Sequence, residues 1–278
     1  MMIRKALILL VLVLSACTDA VIPYSSPQIV VEGWIEDGGA PVIIVTTSVP
    51  VSSEKQELSS LQDNVVRWAT VSVSDGEKEV FLTGRKNDDY FPPYIYTTAM
   101  LTGEVGKTYK LKVKYSGLTV ESETVIPPAR ELDYLRVEES DGKYVLMAGL
   151  EDNRETKDYY KFFIRVYGRD SVYKSTFLGL IDDEILSEGV NDISVRNTYA
   201  VSTVQKDSAV FFHQGDRVGV KFSAMNKEGY EYWEDFEDVA SMSVNPLFPV
   251  TKKIRSNIKG GLGYWIGYGS SYYYIECK

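Results

Sequence analysis

Side chains suited to metal or nucleophile chemistry are scarce in this chain, which has one histidine, His213, and two cysteines, Cys17 and Cys277, among 278 residues. Zinc sites built from four such ligands are excluded. Any Ser-His-Asp or Cys-His mechanism has to use His213, since those schemes need a base within reach of the nucleophile. Its place beside an expected hairpin end, alternating with Phe211, points to a structural or exposed role, and Cys277 has no defined basic partner. Positive charge is also short: Lys and Arg total 30 against 39 Asp and Glu, a net charge of −9. An acidic surface disfavours nucleic acid and anionic lipid as partners. There is no internal repeat and no low-complexity tract. The N-terminal apolar run, Ala6 to Leu14, is nine residues long, whereas a helix needs about 20 to span a bilayer.

That run reads instead as a secretory signal: Arg4 and Lys5 precede it, and small residues lead into Cys17. Leu14-Ser15-Ala16-Cys17 resembles the lipobox of bacterial lipoproteins, which implies cleavage between Ala16 and Cys17 and lipid on Cys17. Acyl burial contributes roughly 0.8 kcal/mol per methylene, so a multiply acylated cysteine anchors the chain durably. Cys277 is then left alone and no internal disulfide can form. Residues 1–16 are therefore expected to be a signal peptide and residues 17–27 a lipidated tether. The eleven steps from Cys17 to Gln28 reach no more than ~40 Å at ~3.3–3.6 Å each, which keeps the body near its membrane. The expected location is the outer membrane, on its periplasmic or cell-surface face.

Aromatics make up 12% of the residues, including 20 tyrosines, too many for a disordered polypeptide. The chain beyond residue 16 is longer than one hydrophobic core usually organises. Seven β-like runs follow one another in the first part: Gln28–Ile35, Pro41–Val51, Ala69–Ser74, Glu79–Thr83, Tyr94–Ala99, Thr108–Tyr115 and Leu118–Ile126. They suggest an immunoglobulin- or transthyretin-like β-sandwich over residues 28–127, closed by Pro127-Pro128. In Tyr109 to Tyr115 apolar and basic residues alternate, as on a strand with one wet face. Residues 52–67 read as a long loop. Residues 128–278 form a second β-rich domain, with runs at Leu132–Glu138, Tyr144–Leu150, Tyr159–Tyr167, Val172–Leu180 and Tyr199–Val204. Ile181–Asn197 reads as an excursion or lid. Ala209–Phe212 and Arg217–Phe222 read as a hairpin around His213-Gln214-Gly215-Asp216. Within Gly229–Met242, Tyr230, Trp233, Phe236 and Ala240 recur at helical spacing. The acids Glu231, Glu234, Asp235 and Asp238 of this helix read as capping and solvation. Two aromatic strands, Tyr264–Gly269 and Tyr272–Ile275, are expected to end the chain. The fold class is thus mainly β, two sandwich-like domains with one amphipathic helix in the second.

Several stretches of this sequence together resemble a known family. Val30-Val31-Glu32-Gly33-Trp34-Ile35, Gly103-Glu104-Val105-Gly106-Lys107-Thr108-Tyr109, Asn245-Pro246 and Ser256 to Gly263 are similar to the Bacteroidota lipoproteins described as domain of unknown function 4249. The resemblance covers essentially the whole chain after the signal. It implies a lipoprotein encoded beside a TonB-dependent outer-membrane transporter, and it brings no catalytic residues.

Local motifs add no catalytic, cofactor or metal site. Gly103 to Thr108 ends in Gly-Lys-Thr, but Leu101 stands where a phosphate loop needs glycine, and a strand follows instead of a helix. The acidic loops Asp182-Asp183-Glu184 and Asn87-Asp88-Asp89 lack the alternating spacing of a calcium loop. The candidate interaction surface is the aromatic ending, Tyr264, Trp265, Tyr268, Tyr272, Tyr273 and Tyr274, although strand alternation sends part of that set into the core. The expected function is non-enzymatic: an accessory or ligand-binding partner of a TonB-dependent transporter, held to the bilayer through Cys17. The alternatives are a pilin-like or adhesin lipoprotein and a carboxylate-based glycan hydrolase.

Overall fold

The computed structural model describes residues 27–48, 62–151, 154–197, 211–242 and 252–278. The signal, the Ala16/Cys17 junction, the tether up to residue 26, residues 52–61 of the expected long loop and the run Tyr199–Val204 lie outside them. The first part contributes eight strands: β1 (Ile29–Glu36), β2 (Val42–Thr47), β3 (Thr70–Ser74), β4 (Glu79–Phe81), β5 (Thr83–Lys86), β6 (Tyr94–Thr97), β7 (Thr108–Tyr115) and β8 (Leu118–Val125). The second adds β9 (Tyr134–Ser140), β10 (Lys143–Glu151), β11 (Tyr159–Val166), β12 (Lys174–Asp182), β13 (Val190–Val195) and β14 (Arg217–Met225). Helix α1 (Lys227–Met242) and β15 (Leu262–Glu276) close the chain. The fold is mainly β, as expected.

The strands form one eight-stranded sheet, in the order β12-β11-β14-β15-β1-β2-β6-β5, and two small sheets, β4-β3-β7-β8 and β13-β10-β9. Each small sheet packs on the same face of the large one. Val31, Ile35 and Trp265 meet Tyr109, Leu111 and Val113 in one core. Phe162, Ile164, Val220 and Phe222 meet Leu146, Ala148 and Val195 in another. Pleating sends the alternate residues of β1, β11, β14 and β15 to the opposite face of the large sheet. Part of that face is covered by α1, through Trp233 packed with Tyr159, Phe163, Tyr264 and Tyr268.

The seam between the two cores is β15. It pairs parallel with β1 on one edge, Glu32 opposite Tyr264 and Glu36 opposite Tyr268, and antiparallel with β14 on the other. The connection from β8 to β9 crosses the inner face of β15 where Gly267, Gly269 and Ser271 stand. A Cβ at Gly269 would run into the Pro127 carbonyl oxygen, and Ser271 donates to Arg130 O at 2.7 Å. The two glycines, Gly267 and Gly269, are what let one backbone lie on another. Pro127-Pro128 therefore falls between the cores, while Ile258 and Trp265 from the far end of the chain belong to the first core.

Four local expectations are corrected. The aromatic ending is one continuous 15-residue strand; Gly269 does not break it because β14 pairs across that position. Ile181–Asn197 is not a lid: Asp183–Ile185 is a single 3-10 turn and β13 pairs with β10. The hairpin around His213 has its turn, Asp216 N donating to His213 O at 3.0 Å, but Phe212 bridges to Tyr144 and not to β14. The run Glu79–Thr83 is two strands, β4 and β5, and β5, Thr-Gly-Arg-Lys, is a polar sheet edge with no apolar alternation to reveal it.

Candidate functional site

The outer face of the large sheet holds a cavity of about 780 Å³, a size suited to a small organic ligand. Its floor is made by outward residues of three strands: Glu32, Trp34 and Glu36 of β1, Tyr264, Tyr268 and Tyr272 of β15, and Lys221 of β14. Phe163 and Arg165 of β11 and Trp233 of α1 form one side. The loops carrying Asp88 to Phe91 and Ser171 to Ser175 form the rim. Period-two alternation places i, i+2 and i+4 of β1 on one face, and the parallel register with β15 sets a tyrosine beside each glutamate.

At one end of the floor, Lys221 Nζ lies 2.5 Å from Glu36 Oε1, and the Tyr272 hydroxyl donates to Glu36 Oε2 at 2.5 Å. The same ammonium sits 4.3 Å from the centre of the Phe163 ring, 5.4 Å from that of Tyr268 and 5.9 Å from that of Tyr173. Such cation–π contacts contribute about 0.5–2 kcal/mol, more where water is excluded. Burial pushes Tyr268 well above the ordinary phenol range, and its oxygen accepts from Trp233 Nε1 at 2.8 Å. Burial also raises Tyr173, to about 12.

Glu32 is the unusual group of the floor. Its carboxyl is desolvated, which raises it above its ordinary value of 4.5, and no hydrogen bond or charge offsets that burial among the described residues. Among the other charged groups of the wall, Lys174 pairs with Asp170 at 2.5 Å, Asp88 with Lys86 at 2.9 Å, and Arg165 Nε donates to the Asp170 carbonyl at 3.1 Å.

A protein-family model described as Domain of unknown function (DUF4249) matches residues 18–273. The chain belongs to this family. The family match takes in every residue that lines the cavity. No curated protein matches the sequence.

Within this member of the family, the six aromatics nominated from the sequence divide by face. Tyr264, Tyr268 and Tyr272 line the cavity. Trp265 is fully buried in the first core, donating from Nε1 to Tyr109 O at 2.9 Å. Tyr273 packs on the second core and donates to Glu131, and Tyr274 is exposed against Tyr167. Glu32, Trp34, Glu36 and Lys221 are site residues that the sequence reading does not nominate, although Glu32 and Trp34 stand in a family stretch; the signal that could have found the glutamates is their pairing on the otherwise apolar β1. His213 is exposed on the far side of the second core, its Nδ1 3.7 Å from the Asp216 carboxylate. Cys277 is buried, and that burial raises its thiol to about 11.

The acidic loops have structural partners. Asp183 accepts from the Asp158 N–H at 2.6 Å, Asp182 from the Glu184 N–H at 3.1 Å, and Lys157 reaches Glu184 at 2.6 Å. Among the described residues no three of His, Cys, Asp and Glu are grouped to hold a metal ion. Gly103 to Thr108 leads into strand β7. The acids of α1 neither cap nor simply face water. Asn226 caps the helix, accepting from Gly229 N at 3.0 Å, while Asp235 takes Arg255 at 2.7 Å and Lys252 at 2.8 Å. That clamp holds the chain leading into β15 against α1, and α1 against the cavity.

Proposed function

We propose that this protein is a non-enzymatic ligand-binding lipoprotein, held to the outer membrane through acylated Cys17, that serves a TonB-dependent transporter. The observation that carries the binding role is the cavity of about 780 Å³, whose lining combines nine aromatic side chains with nine charged or polar ones. Binding sites of this kind bury most of a small ligand against apolar and aromatic walls and orient it with a few placed polar atoms. Its floor rests on the seam strand between two packed cores, which favours a preformed site over one assembled on binding. Among the described residues no helix is long and apolar enough to cross a membrane, and the lipid would supply both attachment and local concentration beside the transporter.

The test is to extract the native lipidated protein from outer membranes in mild detergent and identify by mass spectrometry what accompanies it. A stoichiometric TonB-dependent transporter, and a small molecule released on denaturation and lost in Trp34→Ala, are the expected results. Detergent-resistant ladders of the protein alone would replace this reading with a pilin. A second reading has its own observation: Glu32 and Glu36 share one strand face, one carboxyl desolvated and the other ion-paired, the kind of division glycosidases exploit. Glycan turnover abolished by Glu32→Gln and Glu36→Gln separately would establish that reading instead.

A further inference from the structure

We propose that the cavity selects a small organic cation, an ammonium group on an aromatic or apolar body, with Glu32 as the anion that receives it. This deepens the ligand-binding reading and rests on it. The protein itself displays the chemistry four residues along the same strand face. There, Glu36 is met by the Lys221 ammonium at 2.5 Å, and that ammonium is flanked by the faces of Phe163, Tyr268 and Tyr173. Carboxylate and rings together make a cation site, which Lys221 fills from within the fold.

Glu32 repeats the carboxylate and the rings without a protein cation. Tyr264 stands beside it in the parallel register, and Trp34 and Trp233 line the same cavity. Tyr264 in turn packs against Trp233 with ring centres 5.8 Å apart. No donor or cation of the described residues pairs with Glu32, and Lys174 and Arg165 are committed to Asp170. A half-buried, desolvated carboxylate without a partner is costly, and the cost is removed by whatever brings a positive charge to it. An anionic ligand would meet Glu32 unscreened, and a neutral apolar one would seal it away from water. An organic cation satisfies the carboxylate and the ring faces together, the rings attracting it through their quadrupoles. Asp89 on the rim adds the same sign at the entrance, where Asp88 is paired with Lys86.

The experiment uses the full mature chain in detergent and three matched probes: 2-phenylethylammonium, 2-phenylethanol and phenylacetate. Binding is followed by calorimetry and by the fluorescence of Trp34 and Trp233. The expected result is that the ammonium binds at least tenfold more tightly than the alcohol and that phenylacetate is excluded. In Glu32→Gln the ammonium loses that advantage while the alcohol is unaffected. The same variant is expected to melt a few degrees higher, because an uncompensated, desolvated charge has gone; a lower melting temperature would make Glu32 a structural partner and overturn the proposal. Equal affinity for ammonium and alcohol, both abolished by Trp34→Ala, would overturn the cation and leave the binding cavity standing. No binding of any probe would overturn both.

Discussion

Two carboxyls, Asp235 on α1 and Glu32 on β1, are shifted in opposite directions, so they bend the pH dependence of stability in opposite senses. Arg255 and Lys252 hold Asp235 well below its ordinary value of 3.8. The unfolded chain therefore binds more protons than the native one below about pH 4, and stability falls as pH drops through that range. Burial holds Glu32 above 4.5. The native state keeps that proton longer than the unfolded chain, so stability falls as pH rises from 4.5 through the raised value. Urea midpoints taken between pH 3 and pH 8 should show the rising-pH loss flattened in Glu32→Gln and the acid loss reduced in Asp235→Asn. Superimposable profiles for Glu32→Gln and the parent would refute the first assignment. A third residue, Cys277, is buried with its thiol raised to about 11, so in a Cys17→Ser chain it should resist iodoacetamide at pH 8 until urea unfolds the protein. Labelling at the rate of a free thiol in the native protein would contradict its burial. Of these residues the sequence made Cys277 visible by elimination. It did not mark Glu32 as a site residue, because a glutamate alternating with Val31 and Gly33 looks like any wet face until Tyr264 is known to stand beside it in the cavity.

At the scale of elements, α1 was legible because Tyr230, Trp233 and Phe236 keep helical spacing, and β7 because Tyr109, Leu111 and Val113 alternate with lysines. What periodicity could not reveal was where α1 docks. That depends on Lys161 of β11, buried among apolar neighbours, with Nζ 2.6 Å from Glu237 Oε1 and 4.5 Å from the centre of the Trp233 ring. Burial lowers Lys161 from its ordinary 10.5, while Glu237 opposes the shift. Removing one member of such a pair strands the other, so Lys161→Ala should cost roughly 3–5 kcal/mol in urea denaturation. Replacing both at once, Lys161→Met with Glu237→Leu, should be close to neutral or stabilising, since desolvation of the pair offsets much of its attraction. If the double variant proved less stable than Lys161→Ala alone, the pair would be contributing a net attraction larger than its desolvation cost. Because Trp233 also walls the cavity, Lys161→Ala should weaken ligand binding too, whereas the double variant should retain it if α1 stays docked.

At the scale of the whole molecule, the strands of the first part except the polar β5 were readable one by one, but the sheet that joins them to the second was not. The β1–β15 pairing unites residues more than 220 positions apart, and no local pattern records a parallel partner at that distance. The large sheet makes the two cores share a strand: β15 gives Trp265 to the first and partners β14, which carries Val218, Val220 and Phe222 into the second. The β8–β9 connection is pressed onto that strand at Gly269. Cooperativity follows from this sharing, because neither core can open without exposing β15 to water. Calorimetry should therefore give one transition with equal calorimetric and van't Hoff enthalpies, and near-UV and far-UV signals should coincide. Gly269→Val, which forces a side chain into the Pro127 carbonyl, should lower that single transition by about 1–3 kcal/mol or more, without splitting it. Two resolved transitions in the parent protein would mean that the halves are thermodynamically separate. The cavity floor, which draws on β1 from one half and β14 from the other, would then come apart with the first of them to unfold.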